Sequence, residues 1–275
     1  MQSTRRVVRA YRLSRLALHL VWGVAEVGLT FRWRSQASRA ASIQRWSRRL
    51  VNVLGVKVKV SGTVPETLPA NTVLVANHVS WLDIFVMNSV TVSRFVAKAE
   101  VRRWPVIGWL CDRTGTLFVV REKRTDTHRV NQQIAEALRN GDCIAIFPEG
   151  GTTDGLDVKP FNASLLQPAV EAQAQVAPVA LRYFDASGSR TLAAAYINDM
   201  SLVESIRSML RHKQLVVELH FPEGVSASGL SRRELAKQTE ERIRPVVRSE
   251  GAIPSLLLAD KTGPEKPDDP PVESQ

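Results

Sequence analysis

Thr72-Val73-Leu74-Val75-Ala76-Asn77-His78-Val79-Ser80-Trp81-Leu82-Asp83 is the most informative stretch of the chain. The apolar, β-branched run 72–76 predicts a buried strand, and Ser80 predicts the start of a helix. Between them a histidine and a carboxylate stand five positions apart. On one continuous helix they would lie about 140° apart, so they can meet only if a loop separates strand from helix. With that loop, His78 sits at the mouth of a sheet and Asp83 in the first helical turn. A carboxylate beside an imidazole fixes which ring nitrogen carries the proton and stabilises the imidazolium, which makes a base useful near neutral pH. A structural reading competes. Ser80-x-x-Asp83 has the pattern of a capping box, with His78 an ordinary loop residue. One carboxylate can serve both ends.

A second segment repeats the arrangement. Cys143 to Phe147 reads as another buried strand and runs directly into Pro148-Glu149-Gly150-Gly151. Glu149 alone reads as well as a solvated turn residue. Two strand ends carrying polar chemistry are what an α/β ligand site presents.

Strands are also predicted at 56–61, 93–98, 116–120, 176–183 and 214–221, with helices at 128–139 and 231–249. The alternation predicts an α/β fold with a mixed sheet flanked by helices. The chain has 275 residues, a formal charge of +10 and a pI near 10.1. An anionic partner follows: acidic lipid, a phosphorylated substrate or nucleic acid. No helix-turn-helix, zinc-finger spacing or aromatic–basic RNA motif is present, so no nucleic-acid partner is expected. The five histidines form no HxxxH or HxH pair, and no metal site is expected. Cys111 and Cys143 read as reduced core thiols.

Residues 1–54 read as a helical membrane-attachment region. Arg5, Arg6, Arg9, Arg12 and Arg15 precede the apolar stretch 16–31, and Arg32, Arg34 and Arg39 follow it. That stretch would be about 24 Å long as a helix, short of a bilayer's hydrocarbon core of about 30 Å. Ile43, Trp46, Leu50 and Val53 recur at helical spacing among further arginines. The two segments predict a basic amphipathic hairpin lying in the headgroup layer. The alternatives are a single-pass anchor, with the second helix packed on the domain, and a soluble helix. Residues 55–250 then form the catalytic domain, and 251–275 a disordered, Pro-rich tail.

His78-x4-Asp83, Gly115-Thr116-Leu117-Phe118-Val119-Val120-Arg121, Phe147-Pro148-Glu149-Gly150 and Val176-Ala177-Pro178-Val179-Ala180-Leu181 stand in that order. Together they resemble the four blocks of the glycerolipid acyltransferases, of the bacterial 1-acyl-sn-glycerol-3-phosphate acyltransferase type. The likeness covers roughly residues 50–222. It implies the glycerol-3-phosphate acyltransferase-like fold and transfer of a fatty acyl group to the free hydroxyl of a lysolipid, yielding phosphatidic acid. It also implies an acyl-CoA or acyl carrier protein thioester as co-substrate with no resident cofactor, and a place on the cytoplasmic face of a bacterial inner membrane. His78 would be the general base and Asp83 its orienting partner; a route through an acyl-Ser80 is the lesser alternative. Backbone N–H groups at the start of the Ser80 helix would face the oxyanion.

By the same resemblance the blocks at 115–121 and 147–150 bind the glycerol-phosphate part. Arg121 would clamp the phosphate, Lys98 would assist, and Glu149 would position the acceptor hydroxyl or a nearby cation. Pro178 would shape a pocket wall. One departure stands out. Phosphatidate-forming relatives commonly follow Phe-Pro-Glu-Gly-Thr with a basic residue, whereas this chain reads Gly150-Gly151-Thr152-Thr153-Asp154 and reaches a cation only at Lys159. The loop is compatible with another lysolipid acceptor, such as lyso-ornithine lipid. A non-catalytic membrane-surface lipid-binding protein is the reading from a different class.

Overall fold

The computed structural model describes residues 6–65, 69–119, 124–251 and 256–257. Along the chain run α1 (Arg6–Thr30), α2 (Gln36–Val53), β1 (Val56–Gly62), β2 (Thr72–Ala76), α3 (Asp83–Val90), β3 (Arg94–Lys98), α4 (Ile107–Arg113) and β4 (Leu117–Val119). There follow α5 (Arg124–Arg139), β5 (Cys143–Ile146), α6 (Gln167–Glu171), β6 (Gln175–Asp185), α7 (Leu202–Leu210), β7 (Leu215–Phe221) and α8 (Arg232–Arg248). The sheet order is β4-β3-β5-β2-β6-β7-β1. From β4 to β6 every neighbouring pair is parallel; β7 turns antiparallel to β6, and β1 lies parallel to β7. The expected mixed sheet is present.

The pattern of β2 shows why the sheet lies between two layers. All five of its residues are buried, and strand side chains alternate faces. Leu74 and Ala76 join one apolar cluster with residues of α2, α3 and α7. Val73 and Val75 join another with residues of α5, α6 and α8. A strand covered on both faces reads as an unbroken apolar run. β1, nearer the margin, keeps Lys57 exposed between buried Val56 and Val58.

The N-terminal hairpin separates into two roles. α2 is capped by Ser35, whose side chain accepts from Ser38 N–H, and it buries Leu50, Val51 and Val53. Gln44 and Arg48 donate to the carbonyls of Val90 and Ser89 at the end of α3, at 2.8 Å each. α2 therefore packs on the domain as a helix of its outer layer. α1 is tied at one end, where Arg12 donates to the carbonyls of His212 and Lys213. It is tied again in the middle, where His19 stacks on Trp46 and each bonds the other's backbone carbonyl. Its outer face leaves Leu18, Val21, Trp22 and Leu29 exposed. At 25 residues α1 is about 37 Å long, but it carries Arg9, Arg12, Arg15 and Glu26. Among the described residues no helix is long and apolar enough to cross a membrane.

Part of the expected disordered tail is placed. Leu256–Leu257 pair antiparallel with Lys59 and Val60 of β1. Residues 252–255 and 258–275 of that tail lie outside the described residues.

Candidate active site

The C-terminal ends of β2 and β5 are neighbours on one rim because the two strands are parallel and adjacent. Beyond Ala76, the buried Asn77 side chain accepts from Leu181 N–H at 2.7 Å and donates to Leu181 C=O at 3.1 Å. An amide carries both a donor and an acceptor, so it continues the β2–β6 ladder while freeing the main chain to turn away. The next residue, His78, emerges at the rim.

Asp83 collects the turn. Its Oδ2 accepts from His78 Nδ1 at 2.9 Å, from Val79 N–H at 2.7 Å and from Ser80 N–H at 2.9 Å. Its Oδ1 accepts from the Tyr183 hydroxyl at 2.6 Å. All four partners are donors, and the carboxylate is 0% exposed. Asp83 thus makes the orienting contact with His78 and one half of the expected capping box; the other half is absent, because Ser80 Oγ accepts from Leu82 N–H and Asp83 N–H donates to the Ser80 carbonyl. α3 begins at Asp83 itself rather than at Ser80, since residues 80–82 form the turn that brings the carboxylate back. With Nδ1–H held by Asp83, the imidazole presents Nε2 as a proton acceptor. The His78 side chain keeps 18% of its surface exposed, so it is both held and reachable.

The second segment holds the first. Phe147 stacks on the His78 ring, with centroids 3.9 Å apart and planes 10° from parallel. Glu149 Oε1 accepts from His78 N–H at 2.7 Å, and Oε2 from Lys159 N–H at 2.8 Å. Burial holds this carboxyl above its ordinary range, against the pull of the two N–H groups. Each oxygen is engaged by a backbone N–H, so Glu149 ties the β2 and β5 loops together. Gly150, at φ 79°, closes the turn with its N–H on Phe147 C=O, and buried Pro148 accepts from Asn162 N–H.

Other expectations shift. Ser80 is fully buried and its Oγ accepts from Leu82 N–H, which leaves it no access as an acyl-accepting nucleophile. The N–H groups of 78, 79 and 80 are spent on Glu149 and Asp83, so they do not face an oxyanion. Gly115 precedes β4 and lies at the opposite rim, where its φ is 85° and its carbonyl accepts from Arg94 Nε at 2.7 Å. It shapes a turn and is not beside His78. Pro178 is buried within β6, paired with Val75. Gln175 and Leu181 turn their N–H groups towards β2. Alternation then places the missing N–H of Pro178 on the other edge, between the pairing to Val225–Ser226 and the pairing to β7. Proline is tolerated there because no ladder bond is lost. Lys98 ends β3 opposite Val119; its side chain, and the whole of Arg121, lie outside the described residues.

A family model described as Acyltransferase matches residues 57–182. The 1-acyl-sn-glycerol-3-phosphate acyltransferase of Neisseria meningitidis serogroup B is 36% identical over 217 residues, covering 78% of this chain and 84% of that protein. The chain belongs to the acyltransferase family. The lyso-ornithine lipid O-acyltransferase of Pseudomonas aeruginosa is 38% identical over 199 residues, 72% of this chain and 75% of that one. The crystal structure of the 1-acyl-sn-glycerophosphate acyltransferase PlsC from Thermotoga maritima superposes with a TM-score of 0.63 at 23% identity, covering 87% of this chain and 96% of that chain. This acyltransferase therefore shares that fold.

Tyr183 was not among the residues singled out from the sequence. Burial, and then the neighbouring Asp83 charge, push its phenol well above the ordinary range, so it remains a donor. Tyr183→Phe would leave Asp83 Oδ1 buried without its donor, a loss of about 1–3 kcal/mol. If His78 is a base that Asp83 orients, the expected result is a lower Tm and a kcat reduced about tenfold with KM unchanged, since the hydroxyl contacts Asp83. An unchanged kcat would remove Tyr183 from the positioning of the base.

Proposed function

We propose that the protein transfers a fatty acyl group from a coenzyme A or acyl carrier protein thioester to the free hydroxyl of 1-acyl-sn-glycerol-3-phosphate, giving phosphatidic acid. The observation that carries this reading is the 2.9 Å contact between His78 Nδ1 and buried Asp83, with the imidazole partly exposed at the sheet rim. His78 Nε2 takes the hydroxyl proton as the oxygen attacks the thioester carbonyl. Asp83 stabilises the imidazolium, which returns its proton to the departing thiolate. The substrate alcohol takes the place that a chain serine holds in hydrolases, and no resident cofactor is needed. The exposed apolar face of α1, flanked by arginines, supports attachment to an anionic membrane surface at which such lipids reside.

A second acceptor is favoured by a specific feature. The loop after Glu149 carries Asp154 and no cation until Lys159, whose amino group lies 3.5 Å from Thr152 C=O. Lys159 is thus engaged with the loop's own backbone, which leaves the loop without a free cation for a phosphate. With an acid in the loop and no cation before Lys159, a zwitterionic lysolipid such as lyso-ornithine lipid is the acceptor this feature favours. Purified enzyme should be assayed with one acyl-CoA against a panel of lysolipids. Preference for lysophosphatidate supports the first reading, and preference for lyso-ornithine lipid replaces it. In the same assay Arg121→Ala should raise the KM for a phosphorylated acceptor about tenfold or more and leave that for acyl-CoA unchanged. An effect on the donor instead would reassign Arg121.

A further inference from the structure

We propose that the turn Trp104-Pro105-Val106-Ile107 is a second membrane contact, a rigid apolar knob that enters the interfacial layer of an anionic bilayer beside the catalytic rim. The proposal rests on the reading that the acceptor is a membrane lysolipid. Consecutive large apolar side chains point outward here. Trp104 is 48% exposed, Val106 55% and Ile107 37%, with Trp109 also exposed one position past Gly108. Nothing in the described residues covers them.

The backbone holds this shape under strain. Val106 has φ 65° and ψ −53°, and Ile107 N–H donates to Pro105 C=O at 2.6 Å. That is a γ-turn of the rare positive-φ kind, centred on a β-branched residue to which such angles are costly. Strain of this sort persists where the surroundings over-determine it and clusters at functional positions. Here the surroundings are tight. A side chain at Gly108 would meet Arg102 C=O at 2.2 Å, so α4 packs backbone to backbone on the preceding turn. A softer residue at 106 would fold more readily; valine instead puts a branched apolar group at the tip.

The neighbourhood identifies the partner as an anionic lipid surface. Arg102 and Arg103 immediately precede the knob and are exposed. Arg113 lies over the Trp109 ring, and Arg32 over exposed Trp33, with guanidinium-to-centroid distances of 5.8 Å and 4.6 Å. Paired tryptophan and arginine match the interfacial layer, where aromatic rings sit at headgroup level and cations meet acidic lipid. Trp109 packs against α1, since a side chain built at Gly28 would lie 3.4 Å from its ring. The knob and the apolar face of α1 are therefore held together, giving two attachments that fix an orientation where one would leave the domain free to pivot. Because the chain reaches the knob from the C-terminal end of β3, parallel to β5 and β2, that orientation turns the His78 rim towards the lipid.

The test uses the full chain with phosphatidylcholine vesicles containing phosphatidylglycerol. Val106→Gly should weaken vesicle binding about fivefold while Tm stays level or rises, because glycine adopts positive φ without strain. Trp104→Ser should weaken binding about tenfold or more. Turnover of a short-chain lysolipid dissolved as monomer should be unchanged in both variants, and turnover of vesicle-borne acceptor should fall with binding. Vesicle binding equal to the unmodified protein in both variants overturns the proposal. If the unmodified protein binds vesicles but acylates no lysolipid, the proposed reaction fails, and the binding comparison still decides the knob.

Discussion

His78→Ala is expected to lower acyl transfer by at least about a hundredfold, the usual scale for removing a general base. The loss should fall on kcat, because in the proposed mechanism the imidazole acts as the hydroxyl attacks and contributes little to holding either substrate. The fold should tolerate the change. The ring is partly exposed, and Asp83 Oδ2 would still accept from the N–H groups of Val79 and Ser80, so no buried oxygen is orphaned. The ring's stacking on Phe147 would be lost, at a cost of about 1 kcal/mol. Vesicle binding should be unaffected. A variant with the activity of the unmodified enzyme would take His78 out of the reaction and leave a lipid-binding role as the better description.

Asp83 allows charge to be separated from geometry. Asp83→Asn can keep the arrangement. The amide oxygen would take the place of Oδ2 and accept from His78 and the two backbone N–H groups, while the amide NH2 would donate to Tyr183, whose hydroxyl can reverse its role. Only the negative charge is removed, and with it the stabilisation of the imidazolium. The expected outcome is a Tm close to that of the unmodified protein and a kcat lower by at least about a hundredfold. Asp83→Ala removes both. Buried donors at 79, 80 and 183 would lose their acceptor, and stability should fall by about 3–5 kcal/mol. An Asn variant retaining full activity would mean that Asp83 serves the turn alone.

The contrast between these residues and others shows what the sequence could convey. His78 and Asp83 lie in one strand–loop–helix unit, so spacing alone constrains their meeting. Tyr183 reaches the same carboxylate from 100 residues further on, and only the pairing of β6 beside β2 brings it there. Its place in an apolar strand offered no polar signal. Phe147 and Glu149 were singled out, but for substrate contact; that one stacks on the imidazole and the other binds its N–H follows from β5 lying parallel to β2, a non-local fact. Gly115 lies at the opposite rim for a related reason. Its block spans β4, and a block of sequence does not say which of its ends shares a rim with the base. α2 carried the basic, amphipathic pattern of a surface helix, but its apolar stripe is used against α3 and the sheet.

The run of parallel strands from β4 to β6 has an evolutionary corollary. Every loop that leaves this run at its C-terminal end opens on the same rim, whereas the layers that keep the sheet folded lie below it. Residues on those loops can therefore be exchanged with little disturbance to the architecture. Two relatives at similar identity, 36% and 38%, are named for different acceptors. Swapping rim loops between such relatives would show whether the rim sets the acceptor.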